Sequence, residues 1–236
     1  MRAGFGQEFL PQDPGRLCEK NGGVSKRIRR RPRRSETLER EPQPEVYALK
    51  VECLAALEQM SEQGLIDLYY GDESRISLQP CVPYAWQFKD EAVFMPSTKG
   101  AGLNCFALLS RANECRFETT TQTIDSAFIA TQLESLSFGL ERITVVVLDN
   151  APPHVAKQVQ ERRPFWQKRG LFLFYLPSYS PHLNIVEVLW RHLKYQWLRP
   201  QDYLDTQALF YQVRQALAAV GTLLHIRFKA FQLGLT

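Results

Sequence analysis

Residues 143–150 read Ile143-Thr-Val-Val-Val-Leu148-Asp149-Asn150, a β-branched run that stops at a carboxylate and a turn-forming amide. Apolar side chains at consecutive positions fit a central strand covered on both faces, as strands of parallel sheets are. Leu171 to Leu176 is a second run of this kind. Between the two, Ala151 to Trp166 predicts a helix opened by Pro152 and Pro153, since proline is tolerated in the first turn, where its missing N–H has no partner to lose. Strand, helix and strand make a crossover unit, which sets the two strands parallel.

The pattern extends in both directions. Downstream, Ile185 to Leu198 predicts a helix reached through Ser180-Pro181 and Asn184, and Leu204 to Val220 a last amphipathic helix. Upstream, Val46, Leu49, Cys53, Leu54, Leu57 and Met60 recur at three- and four-residue steps up to Gly64, a helix with a glycine stop. Ile66 to Tyr70, Ala85 to Phe88 and Leu103 to Ser110 read as strands separated by Pro80, Pro83, Pro96 and Gly100, and Ile124 to Leu136 reads as a helix. The expected fold class is α/β: a mixed sheet with three leading antiparallel strands, then parallel strands, with helices on both faces. No internal repeat is present.

The chain has 236 residues and a formal charge of +4, but that charge is unevenly placed. Residues 1 to 44 hold 11 Lys/Arg against 6 Asp/Glu, and the remainder 18 against 19. Seven of the nine residues from Lys26 to Arg34 are basic, in a Gly/Pro-rich stretch with few apolar side chains, too poor in them to build a core. Residues 1–44 are therefore expected to be a basic, largely disordered arm or linker, and residues 45–236 the folded domain. Arg29, Arg30, Arg31, Arg33 and Arg34 are candidates for gripping nucleic-acid phosphate, since a cation that neutralises a phosphate releases a condensed counterion; a solvated linker has the same composition. No apolar run reaches the roughly 20 residues needed to cross a bilayer, and Met1 to Leu10 lacks the pattern of a secretory signal. The expectation is a cytoplasmic chain with no membrane partner. Five cysteines without a CxxC pair suggest neither a disulfide framework nor a zinc cluster.

Two apolar strands are expected to terminate in aspartate, Tyr69-Tyr70-Gly71-Asp72-Glu73 and Val147-Leu148-Asp149-Asn150, which puts Asp72 and Asp149 at strand ends, and a third carboxylate, Glu187, stands in the first turn of a helix among Val186, Val188, Leu189 and Trp190. An ionised carboxylate beside a buried run is costly unless it is paired, hydrogen-bonded or bound to a cation. In open α/β sheets, ligands bind beyond the carboxyl ends of the strands. Singly, each acid has a structural alternative: Asp149 as a helix cap, Asp72 in a turn, Glu187 at a helix dipole. Glu73, next along the strand, is expected to point to the other side, and His154 and His182 to be polar loop residues. Arg191 and Lys194, one and two turns beyond Glu187, are candidate phosphate contacts.

Three blocks carry a resemblance. Tyr70-Gly-Asp72-Glu73-Ser-Arg75, Leu148-Asp149-Asn150-Ala-Pro-Pro-His154 and Leu176-Pro-Ser-Tyr-Ser-Pro-His-Leu-Asn184-Ile-Val-Glu187-Val-Leu-Trp190-Arg-His-Leu-Lys194 resemble the catalytic blocks of mariner-like bacterial insertion-sequence transposases of the DDE superfamily. The resemblance runs from about Glu45 to the C-terminus, and the 37 residues between Asp149 and Glu187 are near that family's interval. It implies a ribonuclease-H-like fold and a catalytic, metal-holding triad of Asp72, Asp149 and Glu187. It further implies two Mg2+ ions, with Mn2+ as a substitute, no nucleotide cofactor, and cleavage and transfer of DNA strands at transposon ends. Its implied partners are DNA and a second copy in a homodimer or synaptic complex. Hard oxygen donors suit these cations, where zinc favours His and Cys.

Ile185 stands where that family commonly has proline. Residues 1–44 are too short and too Gly/Pro-rich for the tandem helix-turn-helix modules of such transposases, so weak, salt-sensitive DNA binding of little sequence preference is expected. Two alternatives remain at the sequence level: a truncated, inactive remnant that binds DNA or a full-length transposase, and another two-metal nuclease.

Overall fold

The computed structural model describes residues 44–80, 97–100 and 102–231, which belong to one compact unit, Glu41–Thr236. The basic arm and the strand expected at Ala85 to Phe88 lie outside the described residues. Among the described residues, five strands form one mixed sheet in the order β3-β2-β1-β4-β5. They are β1 (Asp67–Ser77), β2 (Gly102–Leu109), β3 (Cys115–Thr120), β4 (Thr144–Leu148) and β5 (Leu171–Tyr175). β1 runs antiparallel to β2, and β2 to β3, whereas β4 lies parallel to β1 and β5 parallel to β4. Three leading antiparallel strands followed by parallel ones are thus present, although the third antiparallel strand is Cys115–Thr120, which the sequence reading passed over.

The two central strands explain the depth of the core. Every residue of β4 is buried, matching its unbroken apolar sequence. Alternation along β1 splits its neighbours between two clusters. Leu68, Tyr70 and Ile76 meet Val145 and Val147, with Leu54 of helix α1 (Pro44–Glu62) on the same side. Helices α5 (Val186–His192) and α6 (Thr206–Ala218) complete that face through Val186, Leu189 and Leu209. Tyr69 lies on the opposite face with Val146, Leu148 and Ile129 of helix α2 (Ser126–Phe138). Helix α4 (Lys157–Lys168) adds Val159 and Trp166 there, preceded by the short helix α3 (Pro152–Val155). Helices therefore cover both faces.

Two expected helices differ in detail. The segment from Ala151 to Trp166 is broken at Ala156, whose ψ of 151° is extended, so that α3 and α4 are separate and Pro164 sits inside the second. The helix that carries Glu187 stays α-helical only to His192 and continues as a π turn, Leu193–Trp197. β1 also runs further than expected. Its second half pairs with β2 from Tyr70 opposite Leu109 to Ser77 opposite Gly102, so ladder hydrogen bonds hold it extended where its own side chains are polar. Asp72 consequently lies within a strand rather than at a strand end.

Candidate active site

β1 and β4 are parallel with Tyr70 opposite Val147. Continued two steps past the last pair, this register would bring Asp72 level with Asp149, the first residue after β4, whose charge acts on Asp72. The backbone is tight at this point: a Cβ on Gly71 would stand 2.6 Å from Leu148 Cδ2 and 2.9 Å from Leu108 Cδ2, so only glycine lets both leucines close over the strand just before Asp72.

Glu187 reaches the same place through α5. Asn184, buried just before that helix, donates from Nδ2 to the Gly71 carbonyl at 3.0 Å and accepts at Oδ1 from the Val186 N–H at 3.1 Å. One side chain thus fastens the start of the Glu187 helix to the residue preceding Asp72. Three residues beyond Glu187, the Trp190 indole N–H donates to Asp72 Oδ2 at 3.0 Å. Replacing Asn184 with alanine is expected to cost about 1–3 kcal/mol, because two backbone groups lose their partner in a buried setting. The thermal midpoint, followed by circular dichroism, should fall by several degrees, at roughly 2–4 °C per kcal/mol for a domain of this size. Asn184→Asp, which sets a carboxyl against the Gly71 carbonyl in that buried setting, should cost at least as much as the alanine variant. An unchanged midpoint in Asn184→Ala would show that the two bonds contribute nothing to the fold.

The electrostatics follow from this convergence. Burial, then the charge of Glu187, then that of Glu73, with a smaller push from Asp149, raise the Asp72 carboxyl from 3.8 to about 7, against the Glu73 backbone N–H, which favours its ionised form. Asp149 moves the other way. Burial works to raise it, but the His154 hydrogen bond, the Ala151 N–H and the His154 charge outweigh burial and hold it below its ordinary value.

His154 lies on α3 and is fully buried, not in an exposed loop. Its Nδ1 is 2.6 Å from Asp149 Oδ1 and its Nε2 is 3.0 Å from Glu73 Oε2. The second contact is a close charge pair whose angles fall short of a hydrogen bond. Burial works to lower the His154 pKa, yet the hydrogen bond to Asp149 and the close approach of Glu73, with the charges of both, lift it to about 9. Glu73 does point away from Asp72, as strand alternation requires, and that orientation is what brings it to His154. Sequence reading gave His154 no such role, because a histidine five residues after an aspartate carries no distinguishing spacing. Asn184 did leave a signal, an amide three residues before an acid at a helix start.

The basic candidates divide. Arg191 is exposed and lines a groove of about 480 Å³ with Arg111, His182, Arg227 and Lys229. Lys194 is on another side of the turn, where with Arg214 its charge opposes the burial that raises the Cys105 thiol to about 12. Arg29, Arg30, Arg31, Arg33 and Arg34 lie outside the described residues.

The donor set can be tested for a divalent cation. It consists of carboxylate oxygens from β1, the end of β4 and α5, chemically suited to Mg2+ or Mn2+. Asp72 is crowded by like charge that a dication would offset. Asp149 Oδ1 accepts from the Ala151 N–H at 2.9 Å and from His154, while its Oδ2 takes no hydrogen bond among the described residues. No three Asp, Glu, His or Cys side chains among the described residues form a ready-made metal cage. The set fits an open site that binds cations together with substrate oxygens.

Residues 67–209 match the family described as DDE superfamily endonuclease. Among solved structures, the chain is similar to a Mos1 transposase paired-end complex with left transposon end, at 18% identity and a TM-score of 0.59, covering 87% of this chain and 62% of that one. It is also similar to Mos1 mariner paired-end complexes with Mn, at 18% identity, TM-score 0.55 and coverage of 87% and 62%, and with Mg, at 17% identity, TM-score 0.55 and coverage of 88% and 67%. These likenesses establish the ribonuclease-H-like fold, and the chain spans about three fifths of the first two structures' length. No curated protein matches it. No helix among the described residues is long and apolar enough to cross a membrane.

Proposed function

The chain belongs to the DDE superfamily endonucleases, matched over residues 67–209, and on that premise we propose that Asp72, Asp149 and Glu187 hold two divalent cations for cleavage and transfer of DNA strands at transposon ends. What supports this reading is that Asp72 on β1, largely buried, feels the charges of Glu187 on α5 and of Asp149 after β4, which with burial and Glu73 raise it to about 7. Structural acids avoid such crowding, whereas ligands for Mg2+, or Mn2+ in its place, require it. Held there by Asp72, Asp149 and Glu187, such ions would supply positive charge to offset a phosphodiester, its attacking hydroxyl and its leaving 3′-oxygen.

The chain's own groups fix the ligands. Trp190 holds one oxygen of Asp72. Ala151 and His154 hold Oδ1 of Asp149 and leave Oδ2 available. Asn184 ties the Glu187 helix to β1. The same reading makes residues 45–236 the catalytic domain, with Arg191 and Lys194, and Arg29, Arg30, Arg31, Arg33 and Arg34 of the preceding arm, as phosphate contacts. It assigns a pair of copies to the synapsis of two ends and the bacterial cytoplasm as the setting.

A supercoiled plasmid carrying the DNA that flanks the coding sequence tests it. Incubated with Mg2+ or Mn2+, the full chain should nick at the ends and join them to target DNA, and Asp72→Asn should do neither. Cleavage that is indifferent to metal, or undiminished in Asp72→Asn, would overturn the reading.

A further inference from the structure

We infer that buried His154 and partly exposed Glu73 form a brace that locks the Asp149 carboxylate to β1, so that Asp72 and Asp149 act as one prepositioned pair toward divalent cations. The inference rests on the reading of Asp72 and Asp149 as metal ligands. Neither His154 nor Glu73 is placed as a ligand: both are positioning residues.

The geometry is specific. Asp149 follows the end of β4 and by itself would rotate about its terminal torsion. Two donors converge on one of its oxygens, the Ala151 N–H at 2.9 Å and His154 Nδ1 at 2.6 Å, which fixes that torsion and turns Oδ2 away from them. The far side of the same imidazole meets Glu73 Oε2 at 3.0 Å, and Glu73 is joined by one peptide bond to Asp72. A single ring behind the sheet therefore spans from the residue after one aspartate to the carboxylate of the other.

The ring is itself anchored. The Tyr175 hydroxyl at the end of β5 donates to the His154 carbonyl at 2.9 Å, and Gln160 of α4 donates to that hydroxyl at 3.2 Å. Filling this space alone would be served by an apolar side chain, without the cost of taking a polar ring out of water. Partners one step behind a ligating carboxylate typically change metal affinity about 10- to 100-fold when removed.

Binding of Mn2+ to the full chain, read from the free-ion paramagnetic resonance signal, tests the brace alongside circular dichroism of the metal-free variants. Glu73→Gln and His154→Leu are expected to weaken Mn2+ binding about 10-fold or more with native secondary structure. His154→Asn, whose amide can donate from the position of Nδ1, should bind more tightly than His154→Leu. If His154→Leu does not fold, Glu73→Gln decides, since it keeps the shape of a partly exposed side chain and removes only the charge. Native Mn2+ affinity in Glu73→Gln, with binding lost in Asp72→Asn, would overturn the brace and leave the triad standing. Native affinity in Asp72→Asn, or no uptake by the native chain, would instead overturn the reading on which the brace rests.

Discussion

Asp149→Asn is expected to lower Mg2+-dependent DNA cleavage by on the order of 10³-fold, the scale seen when one preorganised electrostatic group is removed from a reacting centre. The substitution is nearly isosteric. The amide oxygen can still accept from the Ala151 N–H, which Asp149 Oδ1 now does at 2.9 Å, and from His154, now at 2.6 Å. The turn after β4 should therefore persist, and circular dichroism should match the native chain. What disappears is one negative charge and one anionic oxygen, the Oδ2 that no protein donor engages among the described residues. Asp72 should then ionise more readily, because Asp149 is among the charges that raise its pKa. Recovery of full cleavage at saturating Mg2+ would mean that Asp149 serves the turn and not the reaction. An unfolded variant would be visible in the same spectra and is not expected from the hydrogen bonds that remain.

How much of this was legible in the sequence depended on whether the cause was local. β4 and β5 were readable because a strand buried on both faces must be apolar throughout, and Thr144–Leu148 is buried at every position. Glu187 was readable as an acid in the first turn of an apolar helix. β3 was not, because Cys115–Thr120 is an edge strand with no fully buried residue, so its sequence needs no apolar run. Asp72 was placed at a strand end because Gly71-Asp72-Glu73 has turn composition. Pairing with β2 keeps the chain extended there, and local propensity gives way to tertiary context. The site divides in the same manner. The three carboxylates stand out by type and position, whereas Asn184, His154 and Glu73 gain their roles only once β1, β4 and α3 are packed together. His154 and Asn184 act across 81 and 113 positions of sequence, to Glu73 and Gly71, and no local pattern encodes a partner that distant.

Trp166→Ala should be the most destabilising single substitution on the face of the sheet away from Glu187, at about 3–5 kcal/mol. Trp166 is the largest fully buried side chain among the described residues, packed in the cluster that contains Ile129, Leu133, Val159 and Leu171. Its truncation leaves a cavity between α2, α4 and β5 that rigid neighbours can fill only in part. It also removes a tether, since the indole N–H donates to Glu134 Oε2 at 2.9 Å. Glu134 keeps Arg169 at 2.5 Å and Arg162 at 3.7 Å, so its charge is not stranded and the cavity dominates the loss. At roughly 2–4 °C per kcal/mol for a domain of this size, the thermal midpoint should drop by about 10 °C. Trp166→Phe keeps most of the ring and gives up the hydrogen bond, so it should cost about 1 kcal/mol for that bond plus a smaller cavity term. Cleavage by Trp166→Ala at a temperature where it is still folded should stay close to native, because Asp72, Glu187 and Trp190 belong to the opposite face. A midpoint within the error of the native chain would show that this face adds little to stability. A folded Trp166→Ala chain that no longer cleaves would show that α4 controls the site, through Leu148 of β4, which shares the Trp166 cluster and immediately precedes Asp149, or through Gln160, which anchors Tyr175 and His154.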